Sequence, residues 1–189
     1  LPTLRNIFLT WDKNMKLTYK NIQIRNAAAE DAPLLAQWWN DGSIMAHAGF
    51  PLGIGTTPER IAADIQQDTD DTRRRLILLV DHFPVGEMVY RNIGHSTADI
   101  GIKICKIDYQ EKGIGRIALS LLIRELFQSG YRKVVLDTNL KNHRAQHVYE
   151  TLGFQKLRVN MDSWKNQLGQ LESSVDYELT AELFHDFAV

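Results

Sequence analysis

Gln110-Glu111-Lys112-Gly113-Ile114-Gly115 stands between two runs of contrasting period. Before it, Asp99 to Ile104 sets Ile100, Ile102 and Ile104 on one face, as a strand does. After it, Ile114 to Phe127 repeats Ile114, Ile117, Ala118, Leu121 and Leu122 at i, i+3, i+4, as an amphipathic helix does. Glycines at such a junction let the backbone turn tightly and bring several N–H groups to one point, where the helix N-terminus adds partial positive charge. The segment therefore reads in two ways, as a glycine-rich turn capping a helix or as a cradle for a phosphate or pyrophosphate. It is neither a P-loop, because Gly115-Arg116-Ile117 lacks the Lys-Ser/Thr pair, nor a dinucleotide fingerprint, because no third glycine falls near Ser120 and no early β-α-β unit surrounds it.

Working outward, Ile22 to Arg25 alternates as a half-buried strand. Glu30, Asp31 and Pro33 announce a helix carrying Leu34, Leu35, Trp38 and Trp39, which Asn40-Asp41-Gly42 stops. His47 to Gly55, with three glycines and a proline, is a loop, and Thr57-Pro58-Glu59 opens a second helix. Asp68 to Arg75 is a charged connection in which Arg73-Arg74-Arg75 reads as a solvated loop. Leu76 to Val80 is a buried central strand, and Val85 to Tyr90 is its hairpin partner. Past the central helix come a strand at Lys133 to Asp137, a helix at Asn142 to Leu152 ended by Gly153, and strands at Phe154 to Val159 and Val175 to Leu179. The order β-α-α-β-β-β-α-β-α-β-β predicts an α/β (α+β) fold, a mixed sheet with helices on both faces.

The 189 residues suit one domain, expected over 15–189, with 1–14 read as an upstream segment because Met15 offers a natural start. A net charge of -1 supplies no electrostatic reason to expect nucleic acid or an anionic membrane as partner. The lone Cys105 fits a reducing, cytoplasmic setting.

A second segment joins the first. Asn142 and Ala145 lead into Tyr149-Glu150 and Gly153-Phe154, some way downstream of Gln110, Gly113 and Gly115. Together these motifs, Q/R-x-x-G-x-G/A and then Asn, Ala, Tyr-Glu and Gly-Phe, resemble the GNAT N-acetyltransferase superfamily, in the branch that holds ribosomal-protein N-terminal and small-molecule acetyltransferases. The resemblance is strongest over roughly 76–160. It implies a mostly antiparallel, twisted sheet splayed at the CoA site, and acetyl-CoA as the acyl donor. It further implies a loop of Gln110, Glu111, Lys112, Gly113, Ile114, Gly115 and Arg116 around the pyrophosphate. Ile102, Ile104 and Cys105 would pair with the pantetheine arm, Asn142 would bond it, Ala145 would border it, and Tyr149 would lie near the sulfur. Glu111 departs from the glycine or small residue usual there; its side chain is expected to point away, with Lys112 offsetting its charge.

The expected chemistry is direct attack of a primary amine, from a small molecule or a protein N-terminus, on the thioester carbonyl. A backbone N–H near Ile104–Cys105 would hold the oxyanion, and the Tyr149 hydroxyl would protonate the leaving thiolate. Asp99 is the first choice of base, with Glu87 and His95 as competitors; an exposed strand-end carboxylate and a core aromatic are the plain readings of Asp99 and Tyr149. Cys105 reads as a small apolar strand residue rather than a nucleophile. His143 and His147 have no third ligand, so no metal is expected. Trp39, His47, Phe50 and Glu87, with the loop at Asp162 to Glu172, are the acceptor-side candidates. A homodimer is a further expectation from the resemblance. The competing readings are a CoA- or acyl-CoA-binding sensor or scaffold without catalysis, and an unrelated phosphate-binding protein.

Overall fold

The computed structural model describes residues 14–189; of the upstream segment expected over 1–14, all but Asn14 lies outside the described residues. The chain opens with a hairpin of β1 (Lys16–Tyr19) and β2 (Ile22–Asn26), turned at Lys20 with a positive φ of 52°. Helix α1 (Ala32–Trp39) carries Pro33 in its first turn, and a short α2 (Gly42–Met45) follows, capped by Asp41, whose carboxylate accepts from the Ser43 amide. Helix α3 (Pro58–Gln66) is capped by Thr57. Then come β3 (Arg73–Val80), β4 (Phe83–Asn92) and β5 (Thr97–Ile104), the long helix α4 (Ile114–Gln128), β6 (Lys133–Asn139), α5 (His143–Thr151), β7 (Gln155–Lys165) and β8 (Leu171–Thr180).

The eight strands form one sheet in the order β1-β2-β3-β4-β5-β6-β8-β7. Every neighbouring pair is antiparallel except β5 and β6. Strand β3 is buried on both faces, which is why Leu76 to Val80 is continuously apolar. Leu76 and Leu78 join the core under α4 and α5, while Ile77 and Leu79 join a second core under α1 and α3. Burying a side chain of this kind contributes about 1.5–3 kcal/mol, so the sheet is held from both sides.

The feature that makes the site is a short ladder. The parallel strands β5 and β6 pair only at Thr97–Lys133, Ala98–Val134 and Asp99–Val135. Beyond Asp99 and Val135 they part, as the fold expectation requires.

Three expectations are corrected. Arg73-Arg74-Arg75 is not a solvated loop: it begins β3, and Arg74 is 7% exposed. Carboxylates in the preceding turn make this possible, Asp70 accepting from Arg74 at 2.8 Å and Asp68 pairing with Arg75. The span Asp162 to Glu172 is mostly strand, because β7 and β8 extend into a long hairpin turned at 166–170. And Gly42 does not simply stop α1, since it begins α2.

Candidate active site

The parted strands open a cleft of about 1050 Å³. Every residue expected at the cofactor lines it except Lys112, namely Ile102, Ile104, Cys105, Gln110, Glu111, Gly113, Ile114, Gly115, Arg116, Asn142, Ala145 and Tyr149. The local reasons are legible. The N-cap of α4 is Gly113, at φ 76° and ψ -3°, and no side chain caps it. A fifteen-residue helix thus presents an uncapped N-terminus to the cleft, with orphan amides and the positive end of its dipole. A Cβ at Gly113 would meet nothing within 4 Å, and one at Gly115 only Ile104 Cδ1 at 3.5 Å. The glycines therefore leave space over the helix end, as close approach of an anion needs.

Side chains brace the turn. Gln110 donates through Nε2 to the Ile104 carbonyl at 2.9 Å and accepts from Arg144 at 3.2 Å. Glu111 has φ 59°, a conformation that favours glycine, and its carboxylate meets Arg144 at 3.2 Å. Arg144, not Lys112, offsets its charge; the Lys112 ammonium sits over the Tyr109 ring. Asn142 caps α5, its Oδ1 accepting from the Ala145 amide at 3.2 Å.

Just past β5 the Cys105 amide donates to the Val85 carbonyl at 2.9 Å, so it is spent toward β4. Alternation along an antiparallel strand then turns the Ile102 and Ile104 backbone toward the open side. Of the two amides expected near the oxyanion, only that of Ile104 faces the cleft. The Cys105 thiol is pushed up to about 12 by burial and next by the Glu87 charge, so it stays protonated. Burial, and next the Asp137 charge, pushes the Tyr149 hydroxyl up to about 12, and it too keeps its proton.

A smaller cleft of about 300 Å³ adjoins the first along β4 and β5. It holds Asp99 and Glu87. Asp99 accepts from Arg91 at 2.9 Å. Glu87 accepts from the Trp39 indole at 2.8 Å and from Lys103 at 3.0 Å. His47 lines the larger cleft, Phe50 lines neither, and His95 is exposed in the β4–β5 turn. Among the polar lining groups that the sequence reading did not single out are Lys103 and Asp137, whereas Trp164 lies within the Asp162 to Glu172 span it did name. Strand parity could have found Lys103, which shares a face of β5 with Asp99 and Gly101.

A parted parallel pair, with an uncapped helix end at one margin and a tyrosine at the other, suits a long anionic ligand threaded through the sheet. The chain belongs to the GNAT acetyltransferases: the Acetyltransferase (GNAT) domain matches residues 21–155. A search among curated proteins returned no match. Among solved structures, a probable acetyltransferase superposes with TM-score 0.77 at 24% identity, covering 89% of this chain and 98% of that one. A ribosomal L7/L12 α-N-protein acetyltransferase in complex with coenzyme A gives 0.76 at 15% identity, covering 88% and 98%. Spermidine N-acetyltransferase from Vibrio cholerae, in complex with CoA and spermine, gives 0.75 at 18%, covering 86% and 97%.

Proposed function

We propose that this protein transfers the acetyl group of acetyl-CoA to a primary amine, of a small molecule or a protein N-terminus, by direct attack in a ternary complex. The observation that carries the reading is the parting of β5 from β6 beside an uncapped helix N-terminus. The acyl donor supplies an activated acetyl thioester. The turn at 110–116 would hold its pyrophosphate through backbone amides, and the open edge of β5 at Ile102 and Ile104 would take the pantetheine arm as an added strand. The Ile104 amide would face the developing oxyanion. Tyr149, protonated at neutral pH, would give its hydroxyl proton to the departing sulfur. Cys105 keeps its proton too and is a poor nucleophile, which favours direct transfer over an acyl-enzyme. His47 and Glu87 would border the amine, with Trp39 holding Glu87 from behind; Trp39 and Phe50 line neither cleft.

The first test is a melting shift with acetyl-CoA, which binding to the native state must raise. A rise that ATP and NAD also reproduce would break the reading. Thiol release with spermidine and with alanine-initiated peptides then separates catalysis from mere binding. Tyr149→Phe should cut turnover by about 10²-fold with acetyl-CoA affinity held; unchanged turnover would remove the hydroxyl from the mechanism. The unpaired Cys105 accords with a cytoplasmic setting, and exposed Leu157 and Met161 on the edge strand β7 accord with a homodimer, which light scattering would read.

A further inference from the structure

The two clefts share five lining residues: Ile100, Gly101, Ile102, Lys103 and Asp137. They therefore meet at the parting of the strands. Four of the shared residues come from β5, and Asp137 alone comes from β6, two residues past the last paired one, Val135. Gly101 has no side chain to close the gap. Resting on the acetyltransferase reading above, we propose that Asp137 is the proton acceptor for the incoming ammonium.

Its neighbours make it different from the other carboxylates there. From β5, Asp99 is held by Arg91 at 2.9 Å. From β8, Asp176, directly opposite Asp137 in the ladder, is held by Arg158 at 2.8 Å. From β4, Glu87 is held by Lys103 and Trp39. Asp137 makes no ion pair among the described residues. From α5, Tyr149 lines the same larger cleft, and the Asp137 charge adds to burial in raising its hydroxyl. Although the Asp137 side chain is open to the cleft, surrounding protein and then the Asp99 and Asp176 charges raise its carboxyl above the ordinary range, the Arg91 field opposing. A carboxylate so placed attracts an ammonium and takes its proton more readily than a salt-bridged one.

The protons balance. Asp137 takes one proton from the ammonium and passes it to solvent through the open cleft. The freed nitrogen lone pair bonds the acetyl carbonyl carbon as the C–S bond breaks. Tyr149 protonates the sulfur, and the second nitrogen proton, shed as the amide forms, restores Tyr149 by way of solvent. One proton is released overall.

The test compares two acceptors, butylamine, almost wholly cationic at neutral pH, and trifluoroethylamine, largely neutral there. Asp137→Asn should lower kcat/KM for butylamine by about 10²-fold or more, and for trifluoroethylamine by no more than about threefold. Its acetyl-CoA melting shift should match that of the native chain. Equal effects on both amines, or none on either, would overturn the proposal. Should the variant fail to fold, the native chain decides: kcat/KM for butylamine must rise through an acid limb and level off well below the amine's own titration, and an unbroken rise up to that titration refutes the role. Failure of the native chain to bind acetyl-CoA or acetylate any amine would instead strike the acetyltransferase reading itself.

Discussion

Gly115→Ala separates the two meanings of a glycine at a helix start. Gly115 is the second residue of α4, and its φ is not in the left-handed region. An added methyl would touch only Ile104 Cδ1, at an ordinary 3.5 Å. For the ligand-free fold the substitution removes backbone entropy from the unfolded chain and adds a better helix former, a gain of about 0.5–1 kcal/mol. In a chain of this size that is a rise of roughly 1–4 °C in melting temperature. For the bound state the sign reverses. If the amides of this turn cradle a pyrophosphate, a methyl over the helix end costs one charge-assisted hydrogen bond, about 1.5–3 kcal/mol. Affinity for acetyl-CoA should then fall by roughly ten- to a hundredfold.

Differential scanning fluorimetry of the free protein and calorimetric titration with acetyl-CoA read the two effects separately. The expected outcome is a more stable protein that binds less well. A variant that is stabilised and binds as before would show that Gly115 serves the helix rather than the ligand, and the cradle argument would fail. Gly113→Ala is the contrasting control. There φ is 76° with empty space around the Cα, so the cost is backbone strain alone, about 1–2 kcal/mol of stability.

Asn142→Ala removes the cap on the Ala145 amide and should cost about 1 kcal/mol, or roughly 2–4 °C of melting temperature; Asn142→Asp should restore the stability, and a shared loss of acetyl-CoA affinity in both would point to the amide nitrogen as a ligand contact. Because the Asp137 carboxyl is raised in the folded chain, the fold binds its proton more tightly than the unfolded chain does, so the stability due to the protonated form is full below the unfolded range and is lost as pH rises through the raised one. Urea midpoints from about pH 4 to about 7 should therefore decline less in Asp137→Asn than in the native chain, and equal slopes would deny that the carboxyl is crowded. Gly49→Ala would place a methyl 2.4 Å from the Trp164 ring at φ 91°, so it should cost about 2 kcal/mol or more and raise KM for the amine while leaving acetyl-CoA affinity intact. Chevron or urea data and initial rates check the two parts.

The order of elements was legible because most of them bury one face and so carry a period. Ile100, Ile102 and Ile104 mark β5, and α4 repeats its apolar residues every third or fourth position. Where burial is absent, so is the signal. Strand β7 is an edge exposed along nearly its whole length, broken by register shifts and by Asp162 at a positive φ; its first half is read over Phe154 to Val159, and only the pairing with β8 defines the rest. The arginines of β3 misled for the opposite reason: a run of cations reads as solvated until a turn of carboxylates folds back upon it.

The same physics explains why one half of the site could be read and the other could not. An anion cradle is built from consecutive backbone amides, so seven neighbouring residues, 110–116, contain almost all of its geometry. On the proposed reading the acceptor side would be built from side chains that the chain brings from far apart: Ser43 on α2, Glu87 on β4, Asp137 on β6 and Trp164 on β7. No spacing rule links them, because only the sheet order makes them neighbours. The two halves should accordingly respond to substitution independently, changes at 110–116 acting on acetyl-CoA affinity and changes at Gly49 or Trp164 acting on the amine. Coupling between them is expected at the shared β5 residues Ile100, Gly101, Ile102 and Lys103, where a change on one side must be felt on the other.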